Sequence, residues 1–101
     1  MPIITVTSEN FKTEVLNSPK PVLLDFWATW CPPCMMQSPI IDEIAEQRAD
    51  ITVGKVNTDE QPMLAETFNV ENIPTLVIIK DGNIKSRLVG LHTKEQILAE
   101  F

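Results

Sequence analysis

Pro21-Val22-Leu23-Leu24-Asp25-Phe26-Trp27-Ala28-Thr29-Trp30-Cys31-Pro32-Pro33-Cys34 is the stretch whose reading decides the fold. From Pro21 to Trp27 it is apolar almost throughout, as expected of a strand covered on both faces, and Asp25 is the one misfit. Beyond Trp30 it opens a helix, because Pro32 and Pro33 suit the first helical positions, where a missing N–H is tolerated. That helix is expected from about Cys31 to Ala49, with Met36, Ile40, Ile44 and Ala45 on one stripe and Asp42, Glu43 and Glu46 mainly on the other. Pro39 lies inside it and should kink it. Active sites of open α/β sheets lie beyond the carboxyl ends of strands, and Trp27 to Cys31 is such an end.

Upstream, Ile3 to Val6 reads as a short strand, and Thr7 and Ser8 can cap a helix carrying Phe11, Val15 and Leu16 on one side, stopped by Asn17-Ser18-Pro19. Downstream, Ile51 to Val56 is another buried-strand candidate, and Asp59-Glu60-Gln61-Pro62 opens a short helix through Phe68. Thr75 to Lys80 and Ile84 to Val89 flank Asp81-Gly82-Asn83, an antiparallel hairpin signal. Thr93 and Gln96 have capping-box spacing for a last helix ending at Phe101. The order β-α-β-α-β-α-β-β-α predicts an α/β fold with a mixed sheet and helices on both faces.

With 101 residues, 44% of them hydrophobic and 22% charged, the chain should form one domain, residues 1–101, around one core. The net charge is −6, and the eight Lys and Arg are scattered singly, so no basic stripe exists to neutralise phosphates. Nucleic acid and membrane surfaces are therefore not expected partners. The longest apolar runs, Val22-Leu23-Leu24 and Leu76-Val77-Ile78-Ile79, fall far short of the ~20 residues that span a bilayer. Met1-Pro2-Ile3 does not begin a secretion signal, so a chain complete as it stands is expected to be cytoplasmic. In a reducing compartment, two close cysteines are more often catalytic or metal-binding than structural.

The chemistry concentrates in Trp30-Cys31-Pro32-Pro33-Cys34. Two intervening residues in a first helical turn bring the thiols within bridging distance. Cys31, at the helix N-terminus, meets the positive end of the macrodipole, which favours thiolate over thiol and makes it the expected nucleophile. Cys34, one turn in and more shielded, suits the release of a mixed disulfide. An inert pair and a zinc half-site are the competing readings. Zinc needs about four ligands, and only His92 remains besides carboxylates. A c-type haem attachment needs His after the second cysteine, where Met35 stands. Asp25 is either a solvated edge carboxylate or a buried one, and burial disfavours its charged form.

Asp25, Trp27-Ala28, Trp30-Cys31, Pro33-Cys34, Pro39, Lys55, Asp59, Ile73-Pro74-Thr75, Gly82 and Gly90 together resemble the thioredoxin family in order and spacing over nearly the whole chain. The resemblance implies a thioredoxin fold with a four- or five-stranded sheet. It also implies general protein disulfide reduction on disulfide-containing protein substrates, recharging by a thioredoxin reductase, no cofactor or metal beyond the Cys31–Cys34 couple, and a monomer. It makes Asp25 the proton acceptor for Cys34 through a water, with Lys55 a nearby charge that moderates its pKa; taken alone, Lys55 reads as a surface lysine. It makes the Ile73–Pro74 bond cis and leaves the Ile73 backbone free to pair with an extended substrate, with Trp30, Pro74, Gly90 and Leu91 as an apolar rim. Trp27 reads as core packing, Met35 and Met36 as helix surface and core filler, and His92 as a solvated loop residue.

Pro32 replaces the usual glycine, Met35 a common lysine and Leu91 a common alanine, and the last helix ends early. These departures bear on redox potential and partner choice, and Pro32 with Pro33 is expected to tune the couple. A thiol oxidase or isomerase and a redox-independent binding subunit are the alternative function classes.

Overall fold

A strand apolar on both sides needs cover on both sides, and the run from Val22 is the middle of the sheet. The computed structural model describes residues 2–101. Its elements are β1 (Ile4–Thr5), a π-helical turn (Lys12–Leu16), β2 (Val22–Trp27), α1 (Pro32–Gln47), β3 (Thr52–Asn57), α2 (Pro62–Thr67), β4 (Thr75–Lys80), β5 (Asn83–Val89) and α3 (Lys94–Leu98). The sheet has five strands in the order β1-β3-β2-β4-β5. β1 and β2 run parallel to β3, while β4 is antiparallel to both β2 and β5. This is the α/β thioredoxin fold with a mixed sheet, and the four-or-five-strand expectation resolves to five.

The side-chain alternation of β2 divides the interior in two. Val22, Leu24 and Phe26 join Val15, Leu64 and Phe68 under the π-helical turn and α2. Leu23 joins Ile41, Ile44, Ile51, Leu76 and Ile97 under α1 and α3. Asp25 has the parity of Leu23, so it belongs to the α1 side, within an otherwise apolar layer.

Several boundaries differ from the sequence reading, each for a local reason. Thr7 does cap the first turn: its Oγ1 accepts from the Asn10 N–H at 3.3 Å, and its own N–H donates to Asn10 Oδ1 at 2.8 Å. From there the backbone widens into a π-helical turn, closed by the Asn17 N–H on the Lys12 carbonyl at 2.9 Å. Phe11 and Val15 reach the core, whereas Leu16 is 40% exposed. In α1 the buried positions are Cys34, Gln37, Ile41, Ile44 and Ala45, not the stripe through Met36. Met36 is 61% exposed and so is not core filler. Steps of three and four from Cys34 lead to position 37, and a glutamine there hides the seam from a reading based on hydrophobicity. The helix ends at Gln47, ahead of an Arg48–Asp50 pair, rather than at Ala49.

The hairpin turns on Asp81 (φ 52°) and Gly82 (φ 77°), positive at both central positions as a two-residue primed turn requires, so β5 starts at Asn83. Thr93 and Gln96 form the full capping box, but α3 stops at Leu98, and tighter three-residue bonds close Glu100 and Phe101.

Gly54, on β3 between Ile4 and Leu24, is there for space. A Cβ at that position would fall 2.6 Å from Val6 Cγ2 and 3.1 Å from Leu24 Cδ2. Gly54→Ala is expected to destabilise the chain by about 1–3 kcal/mol through overpacking. A denaturation midpoint equal to the parent's would show that the Val6 and Leu24 side chains yield freely.

Candidate active site

Helix α1 begins on Cys31, which caps it in an extended conformation (φ −107°, ψ 103°). With prolines at the next two positions, Cys34 supplies the first-turn N–H, and it donates to Cys31 Sγ at 3.2 Å. The two cysteines are joined as a disulfide with Cα atoms 5.2 Å apart. Cys31 keeps 4% exposure and Cys34 none. The asymmetry has the expected sign but is small, so the helix terminus, more than exposure, distinguishes the two sulfurs. Ala28, Trp27 and Ile73 pack around them.

The donor count gives Pro32 a role that can be measured. Glycine at position 32 restores one N–H at the helix start, and an added charge-assisted bond stabilises a Cys31 thiolate. Pro32→Gly is therefore expected to lower the Cys31 pKa and to make the potential less negative. Equilibration against a reference dithiol measures this, and a more negative potential for the variant would refute the donor account.

Next to the sulfurs, the Ile73–Pro74 peptide is cis. The Ile73 carbonyl oxygen lies 3.6 Å from Cys31 Sγ, and the Pro74 carbonyl accepts from the Gly90 N–H at 2.8 Å. Gly90 has φ +91°, a conformation that L side chains rarely adopt. The rim is only partly as expected. Trp30 (66%) and Leu91 (44%) are exposed, Ile73 and Gly90 are half-buried, and Pro74 is buried. Trp30 is tied down by its Nε1, which donates to Asp59 Oδ2 at 2.8 Å.

Asp25 is 1% exposed, and neither carboxylate oxygen has a hydrogen-bond partner among the described residues. It is not a solvated edge carboxylate. Burial raises its pKa from 3.8 to about 7, opposed by the positive charge of Lys55 and aided by the negative charge of Asp42. Lys55 is Asp25's register neighbour on β3. Its ammonium, however, donates to Ser38 Oγ at 2.7 Å and to Asp42 Oδ1 at 2.9 Å, both on α1. Its side chain is 20% exposed, so Lys55 is neither a free surface lysine nor a direct partner of Asp25.

Sequence reading gave no role to the polar side chains that hold these parts. Gln37 is buried against the backbone of His92, Ser38 and Asp42 hold Lys55, and Asp59 holds Trp30. The usable signal was Gln37, a polar residue one turn after Cys34. Among the described residues, no group of three or more His, Cys, Asp or Glu is placed to hold a metal ion, and no helix is long and apolar enough to cross a membrane.

A sequence profile of the family described as Thioredoxin matches residues 2–101. The protein named Thioredoxin from Mycobacterium tuberculosis (strain ATCC 25618 / H37Rv) is 51% identical over 99 residues, which cover 97% of this chain and 85% of that protein. Thioredoxin 1 of Synechococcus elongatus is 54% identical over 86 residues, 84% of this chain and 80% of the relative. The Bifunctional thioredoxin reductase/thioredoxin of Mycobacterium leprae is 46% identical over 99 residues, 97% of this chain and 22% of that longer protein.

Proposed function

The chain belongs to the thioredoxin family, and from that premise we propose that Cys31 and Cys34 carry its disulfide exchange, with Asp25 as the proton acceptor. The activity is that of a protein-disulfide oxidoreductase. The observation that carries the assignment is the Cys31–Cys34 disulfide across the first turn of α1.

In the reduced chain, the Cys31 thiolate attacks one sulfur of a substrate disulfide. A Cys31–substrate bond forms, the substrate's S–S bond breaks, and its second sulfur leaves with the electron pair and takes up a proton. Cys34 then gives its proton to Asp25 and attacks the Cys31 sulfur. The intramolecular disulfide forms, and the other substrate sulfur leaves and is protonated. The two cysteine sulfurs have given the substrate two electrons. Of the substrate's two protons, one is the Cys34 proton that Asp25 takes and passes to solvent, and the other is the proton that solvent received when the Cys31 thiolate formed. A buried carboxylate with a pKa near 7 is matched to accepting a proton at neutral pH.

Trp30, Ile73, Pro74, Gly90 and Leu91 receive the substrate, an extended segment of a disulfide-bonded protein. Pro32, Pro33 and Lys55 tune the couple. The redox carriers are the two sulfurs themselves, with no cofactor or metal. A thioredoxin reductase returns the chain to the dithiol; the relative whose name joins a reductase to a thioredoxin supports this partner. We take residues 1–101 to act as one monomeric domain in the cytoplasm.

The test is a thiol count. The pre-reduced chain, freed of reductant and mixed with excess disulfide-bonded protein, is expected to release two substrate thiols per chain and to end as the Cys31–Cys34 disulfide. Release by a variant with both cysteines changed to serine would place the chemistry elsewhere.

A further inference from the structure

A glutamine in an apolar seam needs something to offset its desolvation. Gln37 lies one turn beyond Cys34 on the sheet-facing side of α1 and is fully buried. Both ends of its amide go to one residue. Nε2 donates to the His92 carbonyl oxygen at 3.0 Å, and Oε1 accepts from the His92 N–H at 2.8 Å. A side chain thus supplies the paired bonds that a neighbouring strand would give, to residues 91–93, which have no regular structure. Two residues earlier, the Gly90 N–H is tied to the Pro74 carbonyl at 2.8 Å. The Gly90 carbonyl in turn lies 2.8 Å from His92 Nδ1. Leu91 is therefore suspended between two anchored residues, and it is the exposed one.

We propose that Gln37 is a positioning residue for substrate binding: it pins His92 to α1, so that Gly90 and Leu91 stand pre-ordered beside Ile73 and Cys31 to receive an extended segment of a disulfide-bonded protein. This rests on the disulfide-exchange reading of the site. Without the amide, the segment after Gly90 loses its tie to α1, and an arriving protein has to order it on binding. That cost falls on binding and not on sulfur chemistry, because the polar atoms of Gln37 are engaged with His92 and not with either cysteine. A small disulfide, which does not span the rim, does not meet it.

The experiment uses Gln37→Leu and Gln37→Met, the second matching the unbranched shape of glutamine in case the branched one perturbs folding. Rates are measured with dithiothreitol regenerating the dithiol, once with a disulfide-bonded protein and once with oxidised glutathione. KM for the protein is expected to rise about ten-fold in both variants at unchanged kcat, as for a loop that must be ordered on binding. The rate with oxidised glutathione is expected to stay within about two-fold of the parent, because the sulfurs and their N–H donor are untouched. Amide exchange at His92 is expected to accelerate while the amides of α1 remain protected.

An unchanged KM in a variant whose His92 amide has lost protection overturns the proposal, and so does retained protection at His92. Equal slowing with both substrates also overturns it, since Gln37 would then serve the whole fold. A parent chain that reduces neither substrate refutes the disulfide-exchange reading itself, an outcome distinct from these.

Discussion

Oxidised Asp25→Asn is expected to resist denaturant better than the parent at about pH 8 and to match it at about pH 3, because the substitution removes a charge that is penalised only in the folded state. The unfolded chain titrates this carboxyl near 3.8, the folded chain near 7. Below the lower value both states hold the proton, and Asp25 costs the fold no charge. Between the two values the folded state binds more protons than the unfolded one, so stability falls as pH rises through that window. Above about 7 the loss is complete. At about 1.4 kcal/mol per tenfold in proton affinity, the full penalty is about 4 kcal/mol, an upper bound once water entry is allowed. Asparagine keeps the shape, carries no charge and accepts no proton, so the gain in stability comes with slower resolution of the mixed disulfide. Equal midpoints for the two proteins across the pH range would mean that Asp25 titrates in the fold as it does in the open chain.

The outcome also bears on Lys55. Its ammonium is the positive charge beside Asp25 along the sheet, yet both hydrogen bonds it makes are to α1, at Ser38 and Asp42. Asp25 therefore feels Lys55 through space, without a bond that would fix it as a carboxylate. Asp42, held by the same lysine, pushes the other way. Burial wins because no described residue offers either oxygen a hydrogen bond that would favour the charged form.

How far these features were legible depended on whether the signal was local. The β2 run and its misfit could be read because a doubly covered strand is apolar at every position, and the Asp81-Gly82 turn because positive φ selects residue type. The Thr93–Gln96 box was legible for the same reason, since both partners lie within one turn. The facing of α1 was not. Gln37 faces the sheet because its amide meets the His92 backbone, 55 positions away in sequence, and a hydrophobic count puts such a residue outside and Met36 inside. Neither could Lys55 be separated from a surface lysine, because its partners on α1 are set by packing across the layer. The antiparallel pairing of β2 with β4 was likewise hidden, because nothing local to Thr75–Lys80 states which side of β2 it joins. The Ile73–Pro74 geometry came through resemblance, not through physics applied to those residues.

Cys34→Ser is expected to accumulate a covalent complex with disulfide-bonded proteins, and Cys31→Ser to accumulate almost none. Cys31 caps α1, where its sulfur accepts the Cys34 N–H at 3.2 Å and faces the positive end of the helix. A thiolate there keeps both favourable interactions when Cys34 becomes serine, because the N–H belongs to the backbone. Attack on the substrate therefore proceeds, a Cys31–substrate disulfide forms, and the serine hydroxyl, a far weaker nucleophile at neutral pH, leaves it unresolved. In the reverse variant the remaining thiol is Cys34, which is fully buried and lies one turn inside the helix, beyond its positive end. That sulfur is disfavoured as a thiolate and closed to a protein substrate. The difference in trapped complex should exceed about a hundred-fold, since the remaining thiol has neither the N–H donor nor the helix terminus that favour the Cys31 thiolate. Non-reducing electrophoresis with mass spectrometry of the bridged peptide reads it directly. Comparable trapping by the two variants, or a bridged peptide containing Cys34, would reverse the assignment of attacking and resolving sulfurs.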